Sequence, residues 1–169
     1  MTKFLLAVHV IAAIVAIGPV TVAASMFPPA ARRALAAPDD VRADGTVRLL
    51  HRICQVYAAV GIAVPVFGFF TASAMGVLGD AWLIVSIALT VVAAIVLVVL
   101  VLPGQEVLVE GVPDADADAR TGTGSGQGSV GTMTREATVR LAMFTGIFNL
   151  LWATVTVLMI VRPGSTTGA

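Results

Sequence analysis

The sequence predicts an all-α membrane protein, an up-down-up-down bundle of four transmembrane helices. Three observations carry this prediction. The 169-residue chain is 58% hydrophobic and only 12% charged, whereas soluble domains carry about 25% charged residues. Its mean hydropathy is +0.98. The apolar residues are gathered into four runs, each close to the ~20 residues that cross about 30 Å of hydrocarbon. Charged residues sit at or beyond the ends of these runs. A backbone in lipid must satisfy its own polar groups, so each run is expected to be helical.

The first run covers about 4–24 and contains His9 and Pro19. A cleaved signal peptide is the rival reading. It is opposed by the length of the run and by its flanks, with Lys3 before it and Arg32 and Arg33 after it. The second run, about 53–74, contains Pro65. Pro19 and Pro65 each remove a backbone hydrogen bond and are expected to kink their helices. The third run, about 81–102, follows Gly79-Asp80, which reads as an N-cap, and is expected to stop at Pro103-Gly104. The fourth, about 139–161, stops before Pro163-Gly164.

Residues 104–137 read as a flexible loop. "PDADADARTGTGSGQGSVGT" alternates Asp with Ala and then turns Gly/Ser/Thr-rich, too polar to bury a core. The chain is therefore one membrane domain. Within the loop "GQGSVG" matches G-x-G-x-x-G without the strand-and-helix setting a dinucleotide site needs. "DADADA" opens like a calcium loop, but Ala119 and Ser125 stand where Gly and Glu are required.

Basic residues set the expected orientation. Arg32, Arg33, Arg42, Arg48 and Arg52 belong to the first connection, and Arg120, Arg135 and Arg140 to the last. Lys3 and Arg162 lie on the other side. Loops 25–52 and 103–138 are thus expected in the cytoplasm and both termini outside. Nine of ten basic residues are Arg, a bias that reads as a high-GC bacterial genome and hence a bacterial plasma membrane. Acidic and basic residues balance at ten each, and no basic stripe points to nucleic acid. One cysteine, Cys54, excludes an internal disulfide. Cys54 reads as a small packing residue, and His51 as an interfacial, solvated one.

Two stripes share helix faces. Ala58, Gly61, Pro65, Gly68 and Ala72 allow close helix approach on the second span. Thr145, Asn149, Trp152, Thr156 and Met159 line one face of the fourth and are expected to face the bundle interior. His9 lies about five residues, or roughly 7–8 Å, inside the outer boundary. Equal-depth counting places it near Phe69, Ser86 and Thr156, with Trp82 and Met159 about a turn further out and His51 at the opposite membrane face. Three readings of His9 follow. It is a structural imidazole bonded to Ser86, Thr156 or a freed carbonyl. It is an axial haem ligand, alone or with Met159, haem b being the cofactor. Or it is a proton or quinone contact.

"FLLAVHVIAAIVAIGPVTVAASMFPPAARRA", then "RLLHRI", then Trp82 opening the third span, resemble a bacterial family of small integral membrane proteins with a domain of unknown function. The layout is also similar to four-helix membrane protoporphyrinogen oxidases and, more loosely, to copper-resistance membrane proteins. The oxidase type carries a His early in its first helix, which implies a haem-linked role for His9. It also carries a Lys a turn after the Trp of the third helix, where Ser86 stands here. The expected function is a haem- or quinone-associated accessory subunit, in contact with lipid and with another membrane protein or a second copy of the chain. An oxidoreductase of the protoporphyrinogen oxidase type and a small transporter are the alternatives. No span carries the central charged residue that a coupled transporter uses.

Overall fold

A computed structural model of the protein describes residues 2–37, 39–110 and 127–164, with the backbone alone over 127–134. Among the described residues, four helical rods are long and apolar enough to cross a membrane: Thr2–Ala36, Val41–Met75, Ala81–Glu110 and Arg135–Val161. At most 22% of the most apolar stretch of any rod is buried inside the protein. Large side chains such as Phe4, Ile14, Leu150 and Ile160 stand outward. So much contiguous apolar surface needs lipid to cover it. The protein is an all-α, multi-pass membrane protein.

Helix α1, Thr2–Ala36, runs through Pro19 and also through Pro28-Pro29 without interruption. It extends well past the apolar run that ends near Ala24. Helix α2 begins at Val41, not near Ile53, because Asp40 caps it: its carboxylate accepts from the amides of Arg42 and Ala43 at 3.0 and 3.3 Å. Most of the expected 25–52 loop is therefore helical, and the break falls between Ala36 and Val41. Asp44 and Arg48 pair one turn apart on α2 at 3.0 Å.

Pro65 does interrupt its rod. Helix α2 ends at Val60 and α3 spans Ala63–Met75, with Gly61 and Ile62 as a tightened step between them. Pro65 has no N–H for the Gly61 carbonyl, and the Val64 amide takes that carbonyl at 3.1 Å instead. Gly76 closes α3 in the left-handed conformation (φ 70°), with the Val77 amide reaching back to the Ala72 carbonyl at 3.2 Å.

Helix α4, Ala81–Ile95, follows Asp80 as expected. The Asp80 carboxylate makes no cap bond and instead accepts from Trp82 Nε1 at 3.0 Å. The helix does not stop at Pro103-Gly104. A π-helical stretch, Val96–Val101, joins it to α5, Leu102–Glu110. The Leu102 amide bonds the Leu97 carbonyl, five residues back. That wider turn carries the helix through a proline that lacks an N–H. Gly104 then lets α6 come close: a Cβ there would meet Leu141 Cδ1 at 3.2 Å.

Helix α6, Gln127–Val161, ends before Pro163 as the sequence predicts. It starts inside the glycine-rich segment, and α5 also enters the expected 104–137 loop. Residues 111–126, with "DADADA" among them, lie outside the described residues.

The main core is gathered in the half of the bundle where α1 ends and α2 begins. Phe27, Val47, Cys54, Val101 and Phe148 from all four rods meet there. A second, smaller cluster of Ala72, Trp82 and Leu83 clasps the α3–α4 turn, where Arg162 lies over the Trp82 ring at 5.6 Å. Replacing Gly76 by Ala is expected to destabilise this clasp by about 1 kcal/mol, because a Cβ strains a left-handed residue. Thermal melting of the detergent-solubilised variant measures it.

Candidate functional site

The two histidines sit in different parts of the bundle. Phe27 packs edge-on against His51, with ring centroids 6.4 Å apart. His9 is 18 positions earlier on the same continuous helix, or ~27 Å along the axis. No bis-histidine pair forms within one chain.

His9 turns toward α3. Its Nδ1 lies 3.0 Å from the Val64 carbonyl oxygen. A carbonyl only accepts, so Nδ1 carries the proton and donates. In the neutral ring, Nε2 then holds the lone pair. Gly68, one turn beyond Val64, makes the space: a Cβ there would lie 2.9 Å from His9 Cε1 and 3.3 Å from Nδ1. The small-residue stripe read on the second span thus serves at Gly68 to seat an imidazole against bare backbone.

The hydroxyls expected beside His9 bond elsewhere, and the thioether lies at a different level. Ser86 is buried, and its hydroxyl donates to the Trp82 carbonyl at 2.8 Å. Thr156 is exposed, and its hydroxyl donates to the Trp152 carbonyl at 2.9 Å. Asn149 Nδ2 donates to Ser25 Oγ at 3.0 Å and fixes where α1 and α6 meet. Counted from that contact along antiparallel helices, Met159 comes opposite Val15, about 9 Å along the axis from His9. Met159 comes near the level of His9 only if the first and fourth runs are matched spans. In the structure α1 and α6 are equally long, but α1 is displaced along α6.

The fourth-helix stripe is rotated by about one residue from the expected face. Thr138, Leu141, Thr145, Phe148 and Val155 are buried, Asn149, Trp152 and Met159 are half-buried, and Thr156 points out. Asn149 and Trp152 do bring polar groups inward. Asn149 Oδ1 and Trp152 Nε1 are both buried without a hydrogen-bond partner.

One polar cluster went unread in the sequence. Gln105 is fully buried. Its Oε1 accepts from His51 Nδ1 at 3.1 Å, and its Nε2 donates to Cys54 Sγ at 3.5 Å. His51, expected to be solvated, is half-buried, and Cys54 is a hydrogen-bond acceptor as well as a packing residue. The cluster depends on helix continuing through Pro103, since a stop there would remove Gln105. The spacing of His51 and Cys54, three apart on one helix face, was the available signal.

These features define a multi-pass membrane protein with one imidazole near the start of α1 and a His-Gln-Cys chain at the middle of α2. No family model, curated protein or solved structure matches the chain.

Replacing Gln105 by Leu strands His51 Nδ1–H inside the bundle. A buried donor left without its partner costs about 1–3 kcal/mol, so the variant is expected to melt lower than wild type in the same detergent. Gly68→Val overpacks the His9 seat and is expected to cost a similar amount.

Proposed function

We propose that the protein is a small bacterial plasma-membrane accessory subunit whose His9 ligates haem iron through Nε2. The single observation behind this reading is the bond from His9 Nδ1–H to the Val64 carbonyl at 3.0 Å. Metal-ligating histidines donate their other ring N–H to a carbonyl or carboxylate, which fixes the tautomer and raises the basicity of the ligating nitrogen. His9 has that arrangement supplied by its own bundle. The same tautomer disfavours a quinone carbonyl, which needs an N–H donor and would find a lone pair. Haem b, if bound, would take His9 Nε2 as one iron ligand and would supply redox chemistry there. With Met159 opposite Val15, any second ligand would come from another molecule, which is why we assign an accessory role.

The test is a visible absorption spectrum of the purified protein after loading with haem. We expect a Soret band in wild type and in His51→Ala, and its loss in His9→Ala. A preparation that retains no haem after loading, or an unchanged band in His9→Ala, would overturn the proposal.

The orientation rests on the basic residues that gather where α1 ends and α2 begins, with Arg32, Arg33, Arg42, Arg48 and Arg52 against Lys3 and Arg162 on the other side. In a Cys54→Ser background, a cysteine at position 165 is expected to react with an impermeant thiol reagent from outside intact cells. One at position 125 is expected to react only after lysis. The reverse pattern would invert the topology.

A further inference from the structure

A cavity of about 210 Å³ opens between α1 and α6, away from His9. Its lining includes Ser25 and Arg32 on α1, and Thr145 and Asn149 on α6. Two of these side chains hold buried polar atoms without partners, Thr145 Oγ1 and Asn149 Oδ1.

Thr145 is an exception among the helical hydroxyls. Thr21, Ser25, Thr71, Ser86, Thr90 and Thr156 each donate to the carbonyl four residues back, at 2.7 to 2.9 Å. That is how a hydroxyl is normally satisfied in an apolar helix. Thr145 is 3% exposed and makes no such bond.

The Asn149 orientation is determined by its neighbour. The Ser25 hydroxyl donates to the Thr21 carbonyl at 2.7 Å, so Ser25 Oγ can only accept from Asn149. Asn149 must present its NH₂ there, which leaves Oδ1 as an acceptor needing a donor. Pro28 and Pro29 also line the cavity and carry no N–H. The carbonyls of Ala24 and Ser25 therefore lose their helical donors in the same turns. The cavity thus offers one unpaired hydroxyl, Thr145 Oγ1, and one unpaired acceptor, Asn149 Oδ1, at depth. At its mouth stands an exposed guanidinium, Arg32, with no acidic partner among the described residues.

We propose that this cavity binds a hydroxyl-bearing phosphate ester, with the phosphate at Arg32 and a hydroxyl donating to Asn149 and accepting from Thr145. Guanidinium geometry suits a phosphate. A neutral or purely cationic ligand leaves Arg32 without a role, and an anion without hydroxyls leaves Asn149 Oδ1 unpaired. The volume suits a headgroup rather than a whole lipid. Basic pockets between transmembrane helices on the cytoplasmic side commonly take such headgroups. Phosphatidylglycerol carries this chemistry in a membrane, and glycerol 3-phosphate carries it in solution.

The test is thermal melting and native mass spectrometry of the whole protein in detergent. The probes are phosphatidylglycerol, phosphatidylcholine and glycerol 3-phosphate. Phosphatidylglycerol is expected to raise the melting temperature and stay bound, while phosphatidylcholine does neither. Stabilisation by glycerol 3-phosphate alone would support the site and identify a soluble source. Arg32→Gln is expected to weaken binding about tenfold, the loss of about 1.4 kcal/mol. Arg33→Gln, which removes the same charge one residue away, should leave binding unchanged. Thr145→Val should weaken binding yet melt higher than wild type without lipid, because it removes an unpaired buried hydroxyl. Equal effects of Arg32→Gln and Arg33→Gln, no preference over phosphatidylcholine, or a lipid-free loss of stability in Thr145→Val would overturn the proposal. Any of these would leave the cavity as a water pocket.

Discussion

In hydrocarbon no water is available to satisfy an amide or a carbonyl, and that constraint organises this chain. Helix is the local answer, and this chain keeps its helices going where prolines would end them in water. Helix α1 runs through Pro19 and Pro28-Pro29. The α4–α5 rod crosses Pro103 by widening into a π-helical stretch. At Pro65 the rod steps, and the Val64 amide takes the carbonyl that the proline abandons. Serine and threonine hydroxyls fold back onto their own carbonyls. Against this near-complete internal pairing, the few groups that pair across helices, or pair with nothing, stand out as the informative ones.

The two histidines meet the constraint in the same way. Each donates from Nδ1 to a fixed acceptor on a neighbouring helix, His9 to a backbone carbonyl and His51 to the Gln105 amide oxygen. Each is therefore oriented, and each keeps Nε2 for something else. Their surroundings differ. His51 belongs to a chain that ends on Cys54, inside the core formed by Phe27, Val47 and Val101. His9 lies over a glycine, about 27 Å along α1 from Phe27 of that core. A packed core explains His51 as structure. Nothing in the packing around His9 requires an imidazole there, which makes its free nitrogen the better functional candidate.

Much of the architecture was legible in the sequence, because hydrocarbon thickness imposes a length that hydropathy reports directly. Asp80 and Pro163 marked helix ends correctly for local reasons. Pro103 did not, because the helix widens into a π-helical stretch ahead of it, and no local residue signal announces that turn. The start of α2 was missed because Arg42, Asp44 and Arg48 make its first turns polar, and hydropathy does not see a capped polar helix beyond the membrane. The candidate site was half legible. An intramembrane histidine and a facing glycine stripe could be read from spacing. Which atoms meet could not, since depth counting assumes equal spans and α1 is displaced along α6. Equal spans would set Thr156 and Met159 beside His9, and the displacement removes them.

The central claim is that the His9 ring is held as its Nδ1–H tautomer by the Val64 carbonyl, with Nε2 left open. Nitrogen-15 NMR of histidine-labelled protein in lipid bilayers tests it most directly, with His51→Gln leaving His9 as the one labelled ring. The account predicts a protonated Nδ1 and an unprotonated Nε2 in a single, non-exchanging tautomer. A ring protonated on Nε2, or one exchanging rapidly between tautomers, would contradict it.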